Sequence, residues 1–322
     1  MSEQPEGGQL RWHPLLREWV VVAAHRQHRP QMPADWCPFC PGSGQAPAEY
    51  DVFLYPNDFP AFSPNTPEYR EPEGLFDTAG ARGACDVVLY HHGHTILPSE
   101  LSVEHWSKVV RLWRKRTMEL AADPDVRYVL VFENTGVAIG VTMPHPHGQI
   151  YAFPFIPPLA QRVITSSREY YEATGKSLFE EVIEKERTGR VRIVAENSRF
   201  VAFVPFAARF PGEVHIYPRR QFEGLWQIGE DEVPQLAALI RTIRRAYDNL
   251  YGFPMPLMMV LRQAPVRGEH PYFRFHVEFL PIQRSAKKLK YLAAVETTSG
   301  VFLNDTWPEE RAEELRKAIP AE

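Results

Sequence analysis

The chain of 322 residues has few cysteines, no excess of basic residues and no long apolar run. Three cysteines do not build a disulfide framework in a chain of this length, which favours a reducing compartment. A net charge of −4 provides no basic surface for nucleic acid or for an anionic membrane. No apolar stretch approaches the roughly 20 residues of a membrane span, and the polar N-terminus lacks a signal-peptide core. We therefore expect a cytoplasmic protein that binds neither nucleic acid nor membrane.

What the chain does contain is enough apolar residues for a sizeable core, because 44% of its residues are hydrophobic. A chain of this length can form one large core or two medium ones. It also contains 30 prolines, many of them near the N-terminus. Since proline interrupts helices, we expect the N-terminal region to be rich in loops.

The first half of the chain alternates strands with one long helix. A strand is predicted over 86–90, and Ser102 has the residue type and position of a helix N-cap. An apolar strand follows over 128–132, and a further strand runs through His147. The second half repeats this order about 127 to 129 residues later, with strands over 213–217, 257–261 and 274–279 and an amphipathic helix that ends at Gly252.

This repetition predicts an α+β fold with an internal duplication. Helices that alternate with strands through short links favour a mainly antiparallel sheet with flanking helices. The charged segment from Leu159 to Arg187 is predicted to be partly helical and to join the halves. We accordingly divide the chain into residues 1–160 and residues 161–322.

The most informative segment is Met143–Ile150, with the sequence Met-Pro-His-Pro-His-Gly-Gln-Ile. In an extended strand His145, His147 and Gln149 point to one face. Neutral imidazole is a good nucleophile toward phosphorus near pH 7, because its unperturbed pKa is about 6.5, and it leaves again from a phosphoramidate. One interpretation is therefore a nucleotidyl-histidine intermediate. A surface strand or a plain metal site is the alternative, and it is the usual fate of an isolated His-x-His pair.

A second pattern is the pair Cys37 and Cys40 in Cys-Pro-Phe-Cys-Pro-Gly. Two thiolates at this spacing provide half of a tetrahedral zinc site, and two more ligands must come from elsewhere. A redox pair is the alternative. It is disfavoured because Pro41 and Gly42 follow the second cysteine, where a redox motif would continue into a helix. Cys85 is interpreted as a small buried residue.

These segments together resemble galactose-1-phosphate uridylyltransferases, a family of the histidine-triad superfamily. The resemblance rests on Glu133-Asn-Thr-Gly136 and on the run from Gly140 to Gln149, in which His-Pro-His-Gly-Gln matches the family signature. It extends from about Arg11 to Glu296. It implies a duplicated histidine-triad-like fold, with a zinc site and the nucleophile in residues 1–160 and sugar-phosphate contacts in residues 161–322.

The resemblance also implies an activity. In the family, the histidine that matches His147 attacks the α-phosphorus of UDP-glucose, and galactose 1-phosphate then takes the uridylyl group. This chain would thus be a ping-pong UDP-glucose–hexose-1-phosphate uridylyltransferase of galactose metabolism and a homodimer. Gln149 stands where the superfamily's hydrolases have a third histidine, and an amide is no general acid or base near neutral pH, which favours transfer over hydrolysis.

Two alternatives to this activity stay open. One is a related nucleotidyltransferase or phosphorylase that uses an ADP-sugar or another acceptor. The other is a catalytically silent nucleotide-binding module stabilised by zinc.

The resemblance implies ligands for zinc and for the substrates. The zinc ligands are Cys37, Cys40, His94 and His145. His91 and His92 are close rivals of His94, and metal at His145 would have a structural role beside His147. The predicted substrate contacts are Arg26 and Arg29 near the nucleotide, Asn57, Asp58 and Phe59 at uracil and ribose, Asn134 and Thr142 at the phosphates, and Lys290 and Glu296 at the sugar phosphate.

Some family members hold a second metal in the duplicated half, through a glutamate and three histidines. The matching positions here are Val163, Arg262, His276 and Glu278, of which only His276 keeps its ligand type in place. We predict that this second metal is absent. As a hypothesis, Arg262 and Glu278 form an ion pair where it would lie.

Overall fold

The protein was analysed as a computed structural model that describes residues 8–28, 36–66, 75–141 and 143–321. Two predicted substrate contacts, Arg29 and Thr142, lie outside these described residues. Within the described ranges, none of the helices combines the length and the apolar character needed to cross a membrane.

The N-terminal half has short strands joined by loops, and its prolines predict the loops. Its elements are β1 (Gln9–His13), β2 (Glu18–Val22), β3 (Phe53–Pro56), β4 (Thr78–Gly80), β5 (Ala84–Leu89), α1 (Val103–Ala121), β6 (Tyr128–Thr135) and β7 (His147–Phe153). The remaining elements are α2 (Pro158–Thr174), α3 (Leu178–Gly189), β8 (Ile193–Glu196), β9 (Phe200–Phe203), β10 (Val214–Pro218), α4 (Val233–Tyr251), β11 (Leu257–Arg262), β12 (His276–Pro281), β13 (Gln283–Ser285), β14 (Lys288–Leu289) and α5 (Pro308–Ala318).

One nine-stranded sheet runs through both halves, in the order β3-β5-β7-β6-β11-β12-β10-β9-β8. Every pair of neighbouring strands is antiparallel. The order is symmetric about the junction of β6 and β11, because β5-β7-β6 on one side corresponds to β10-β12-β11 on the other. The predicted α+β fold with an internal duplication and a mainly antiparallel sheet is thereby confirmed.

The two long helices cover one face of this sheet. Helix α1 begins after Ser102, whose side chain accepts a hydrogen bond from the backbone N–H of His105, and α4 ends at Gly252 with a φ of 76°. Both helices bury an apolar stripe and pack against each other and the sheet. The main core contains residues of both halves, so the halves share one sheet and one core. The division at residue 160 stays a prediction.

The other face of the sheet carries His147 and Gln149, whereas His145 precedes the strand, contrary to the expectation of one extended strand through all three. Along β7 half-buried and buried residues alternate, so His147 and Gln149 share a face and Gly148 points toward the helices. Gly148 lies in an interior strand, between β5 and β6. A Cβ at this position would lie 2.1 Å from the hydroxyl oxygen of Tyr90. Glycine is therefore required by a buried side chain beneath the strand, and not by an exposed edge or a ligand.

Candidate active site

The backbone fixes the orientation and the protonation pattern of the His147 ring. Its Nδ1 lies 2.7 Å from the carbonyl oxygen of His145. Because a carbonyl oxygen only accepts hydrogen bonds, Nδ1 carries the hydrogen. In the neutral ring the lone pair is then on Nε2, which is the atom a nucleophilic histidine needs.

The four predicted zinc ligands come together in space. Cys37, Cys40, His94 and His145 each place one ligand atom within 4.8 Å of the other three. The Cys40 Sγ lies 3.4 Å from the Nδ1 of His94 and 3.9 Å from that of His145, and the Cys37 Sγ lies 3.8 Å from the latter. Tetrahedral zinc with nitrogen and sulfur ligands has ligand separations of roughly 3.4 to 3.8 Å. The cluster thus has the size of a metal-ion site.

Partners around the cluster orient His145 for coordination. Its Nε2 donates to the carbonyl oxygen of His91 at 2.8 Å, which leaves the Nδ1 lone pair facing the two sulfurs. The hydroxyl of Tyr50 lies 2.9 Å from the same Nε2 and donates to the carbonyl of Phe39 at 2.6 Å. Such outer hydrogen bonds fix the tautomer of metal-binding histidines. The sequence did not single out Tyr50, since nothing in its local pattern indicates this contact.

The rivals of His94 have other environments. The Nδ1 of His91 accepts a hydrogen bond from the backbone N–H of Gly93, and its ring stacks on that of His92 with centroids 4.2 Å apart. Among the described residues, neither belongs to the cysteine and histidine cluster.

The pKa values of Cys37 and His145 in the cluster are consistent with the binding of a cation. Burial raises the pKa of the Cys37 thiol to about 11, and the neighbouring Cys40 sulfur adds to this. Burial also lowers the pKa of His145 to about 4, so its imidazole is neutral near pH 7. Thiolates at this place need a positive charge beside them, and the residues present fit a metal ion.

A cavity on one side of His147 brings several predicted contacts together. Its lining includes the predicted uracil and ribose contacts as well as the catalytic pair: Asn57, Asp58, Phe59, His147 and Gln149. The hydroxyl of Tyr55 donates to the Asp58 carboxylate at 2.5 Å. Phe39 lies in the wall with its ring centroid 5.5 Å from that of His147. The Cys-Pro-Phe-Cys loop therefore shapes this cavity as well as the cluster.

A second cavity reaches His147 from another direction. It is lined by Asn134 and Gly136 of the first half and by Pro254 of the second. Arg26 lies near the first cavity, because its guanidinium donates to the carbonyl of Phe59 at 2.9 Å. Asn134 and Arg26 thus both lie near His147, the nucleophile candidate. Their contacts with substrate stay predictions.

Lys290 and Glu296 lie elsewhere. They form a buried ion pair with 2.5 Å between Nζ and Oε1, and neither lines the two cavities that contain His147. The Lys290 ammonium holds the pKa of Glu296 well down, to about 2, and backbone donors assist. Within one chain these two residues are therefore not part of the cavity walls around His147.

The C-terminal half contains a counterpart of the site. The aligned positions Val163, Arg262, His276 and Glu278 all line one cavity. Arg262 and Glu278 form the hypothesised ion pair, with 2.8 Å between Nε and Oε2. The sequence reading missed His215, which lies opposite Glu278 in the strand register. The alternation of Glu213 and His215 along a strand was the signal that could have indicated it.

A duplicated α+β fold that places the oriented imidazole of His147 beside two cavities has the site of a nucleotidyltransferase. Comparison with known proteins then identifies the family. The N-terminal and C-terminal domain profiles of "Galactose-1-phosphate uridyl transferase" match residues 3–157 and 164–321.

Relatives match over nearly the whole chain. A galactose-1-phosphate uridylyltransferase of Thermotoga maritima is 40% identical over 96% of this chain and 98% of its own length. The enzyme of that name from Rattus norvegicus is 32% identical over 95% of this chain and 86% of its own. A solved uridylyltransferase structure superposes with a TM-score of 0.90, at 34% identity and with 97% and 98% of the two chains covered. The chain belongs to the galactose-1-phosphate uridylyltransferase family.

A more distant structure shares the fold alone. An ADP-glucose phosphorylase from Arabidopsis thaliana with bound ADP-glucose superposes with a TM-score of 0.76 at 23% identity, over 98% of this chain and 99% of that one.

Proposed function

We propose that this protein is a UDP-glucose–hexose-1-phosphate uridylyltransferase of galactose metabolism that works by a ping-pong mechanism through His147. The observation that carries the proposal is the 2.7 Å hydrogen bond from Nδ1 of His147 to the carbonyl of His145, which leaves the lone pair on Nε2 in a residue that lines both cavities. The relatives with matching names support the choice of substrates.

In the first step the Nε2 lone pair of His147 attacks the α-phosphorus of UDP-glucose. A phosphorus–nitrogen bond forms and the bond from phosphorus to the bridging oxygen breaks, so glucose 1-phosphate leaves with that electron pair. The ring becomes positively charged as it bonds to phosphorus. The carbonyl of His145, already hydrogen-bonded to Nδ1, stabilises this charge without reorganisation.

In the second step a phosphate oxygen of galactose 1-phosphate attacks the same phosphorus. The phosphorus–nitrogen bond breaks, UDP-galactose leaves, and neutral His147 is restored. Gln149 lies on the same strand face as His147 and donates through its amide to a phosphoryl oxygen. Asn134, which lines the second cavity, is the predicted contact to the phosphates on that side.

A zinc ion is the cofactor that fits the cluster of Cys37, Cys40, His94 and His145. Bound there, it would supply structural cross-linking of the cysteine loop to the strand that carries His147. The chain's own residues carry the chemistry, while Phe39 of the same loop packs on the His147 ring.

A homodimer is part of the proposal. Because Lys290 and Glu296 do not line the cavities that contain His147, we assign their predicted contact with the sugar phosphate to the site of a second copy of the chain. Mixing inactive His147→Asn and Lys290→Met variants under conditions of subunit exchange should then restore part of the activity. No restoration, or a monomer by light scattering, would count against this arrangement.

One experiment tests both the identity of the nucleophile and the preference for a uracil or adenine nucleotide. The protein is mixed with UDP-glucose or ADP-glucose without an acceptor, and the intact mass is measured. We expect a uridylyl adduct with UDP-glucose that is absent in His147→Asn. His276→Asn is the matched control, since it alters the corresponding histidine of the other half, and it should keep the adduct.

The other outcomes point to the alternatives. An adenylyl adduct alone would favour an ADP-sugar enzyme, and no adduct with either donor would favour a silent binding module. Release of radiolabelled UDP-galactose on addition of galactose 1-phosphate to the purified adduct is the expected second half-reaction.

A further inference from the structure

The cavity of the C-terminal half has a histidine oriented like the nucleophile candidate. The Nδ1 of His276 lies 3.0 Å from the carbonyl oxygen of Arg274, two residues earlier, just as Nδ1 of His147 contacts the carbonyl of His145. The neutral ring of His276 therefore has its lone pair on Nε2. This atom lies 3.5 Å from Oε1 of Glu278, so two acceptors face each other across a short gap.

A third side chain that could bind a metal ion, His215, faces the same gap. The Nε2 of His215 lies 3.9 Å from Oε1 of Glu278. One ligand atom from each of His215, His276 and Glu278 lies within 4.8 Å of the other two. Two imidazoles and one carboxylate that leave coordination positions open form a set that binds divalent transition metals. The cavity floor thus contains the donor atoms of a three-residue metal site.

In this chain, however, two of the three candidate metal ligands, Glu278 and His215, already have charged hydrogen-bond partners. The Nε of Arg262 donates to Oε2 of Glu278 at 2.8 Å, and the Nε2 of His215 donates to Oε1 of Glu213 at 2.7 Å. A guanidinium does not lose its proton in proteins, so Arg262 is a permanent cation beside the donor set. A divalent ion on Glu278 would lie next to this charge inside a partly closed cavity, where repulsion is only weakly screened. The residues as they stand do not fit a second metal.

We infer that the guanidinium of Arg262 takes the place of a metal ion in the C-terminal half and blocks a latent metal site formed by His215, His276 and Glu278. It neutralises Glu278 and joins β11 to β12, which are neighbours in the sheet. The inference concerns residues that the proposed transfer reaction does not use, so the two stand or fall separately.

Replacing Arg262 with a neutral residue of similar length should open the site. The Arg262→Met variant and the parent are equilibrated with Zn²⁺ or Co²⁺, passed through a desalting column and assayed for metal per chain. We expect the variant to hold one more ion than the parent, with an affinity gain on the order of 100-fold, because a like charge has been removed from beside the donors. Both proteins contain the same cysteine and histidine cluster. The difference in metal per chain between them therefore reports only the site beside Arg262.

Cobalt also distinguishes the two places by spectrum. An ion at Cys37 and Cys40 gives a thiolate charge-transfer band, whereas an ion held by imidazoles and a carboxylate does not. The additional cobalt in Arg262→Met should increase the visible ligand-field bands without increasing the thiolate band.

Two control variants locate the effect. Arg209→Met removes a different arginine of the same cavity and leaves the Arg262–Glu278 pair intact, so it should bind no additional ion. Adding His276→Ala to Arg262→Met should abolish the additional ion. If Arg262→Met does not fold, Arg262→His removes the guanidinium and supplies another imidazole.

The inference is overturned by either of two results. One is a parent protein that already holds an ion at this place and loses it in His276→Ala. The other is a folded Arg262→Met or Arg262→His variant that binds no more metal than the parent.

Discussion

At the scale of single residues, the position of His147 depends on what lies beneath its strand. Tyr90 is fully buried and its hydroxyl reaches the backbone of Gly148. The nucleophile candidate and Gln149 are the two neighbours of this glycine in the chain. Any side chain at position 148 would push the strand, and both functional residues with it, away from the helix layer.

Gly148→Ala is therefore expected to destabilise the protein by about 1 to 3 kcal/mol and to slow adduct formation. The new Cβ would lie 2.1 Å from the Tyr90 hydroxyl oxygen and 2.8 Å from Cζ, so something must move. Urea unfolding and intact-mass kinetics measure the two effects. Adding Tyr90→Phe removes the closest atom and should restore part of both. Gly189→Ala is the control, because a Cβ there meets nothing within 4 Å, and a loss equal to that of Gly148→Ala would refute the argument.

The Lys290–Glu296 pair predicts a dependence of stability on pH. Lys290, with help from backbone donors, lowers the folded-state pKa of Glu296 to about 2, below the unfolded value near 4.3. A lowered carboxyl pKa contributes stability above the unfolded pKa, and that contribution is lost as the pH falls toward 2. The difference in unfolding free energy between the parent and Glu296→Gln should thus be full at pH 6 and shrink between pH 5 and pH 3. A difference that grows on acidification would contradict this sign.

At the scale of elements, a buried ion pair connects the two halves. Glu133 on β6 and Arg244 on α4 lie 2.6 Å apart, with side chains only 2% and 4% exposed. The sequence around Glu133 is part of the family motif, and its carboxylate contacts Arg244 of the helix layer. Its role is therefore to join strand and helix across the duplication.

Removing one partner of this pair should cost more than removing both. Arg244→Met leaves a buried, uncompensated carboxylate, for which a loss of about 3 to 5 kcal/mol in unfolding free energy is expected. The double variant Glu133→Leu with Arg244→Met should recover most of it. Denaturant unfolding of the single and double variants checks this, and additive losses would show that the charges are not coupled.

At the scale of the whole molecule, the cysteine and histidine cluster connects distant parts of the chain. Cys37 and Cys40 lie in a loop, His94 lies in the connection before α1, and His145 lies beside the strand of the nucleophile candidate. Without a cation, burial keeps the Cys37 thiol protonated, and the cysteine loop lacks a metal link to His94 and His145.

Metal removal is accordingly expected to weaken both the fold and the reaction. Chelation, or Cys40→Ala, should lower Tm, since a bound ion at 1,000 times its Kd contributes about 4 kcal/mol to the unfolding free energy. Adduct formation should slow too, because Phe39 of the same loop packs on His147. Cys85→Ala is the control, as this buried cysteine lies outside the cluster, and it should retain one ion per chain. Equal metal loss in both variants would exclude the assignment.

Local patterns in the sequence were sufficient for much of the fold. Strand alternation, the Ser102 cap and the glycine after α4 predicted elements that the structure contains, because these signals act between residues close in the chain. The duplication was visible because both halves repeat the same local signals. The symmetric order of the nine strands was not, since strand neighbours are chosen by burial across the whole sheet.

For the site, too, some features follow from the sequence and others from the tertiary structure. The sequence by itself determined which residue types are available: the His-Pro-His-Gly-Gln segment, the cysteine pair and the replacement of metal ligands at Val163 and Arg262. Only the tertiary structure decided how they are used. It selected His94 for the cluster, brought Tyr50 to His145, and left Lys290 outside the walls of the two cavities that contain His147. These outcomes depend on contacts between residues far apart in the chain, whose distances are set by the packing of the complete sheet and not by any local pattern.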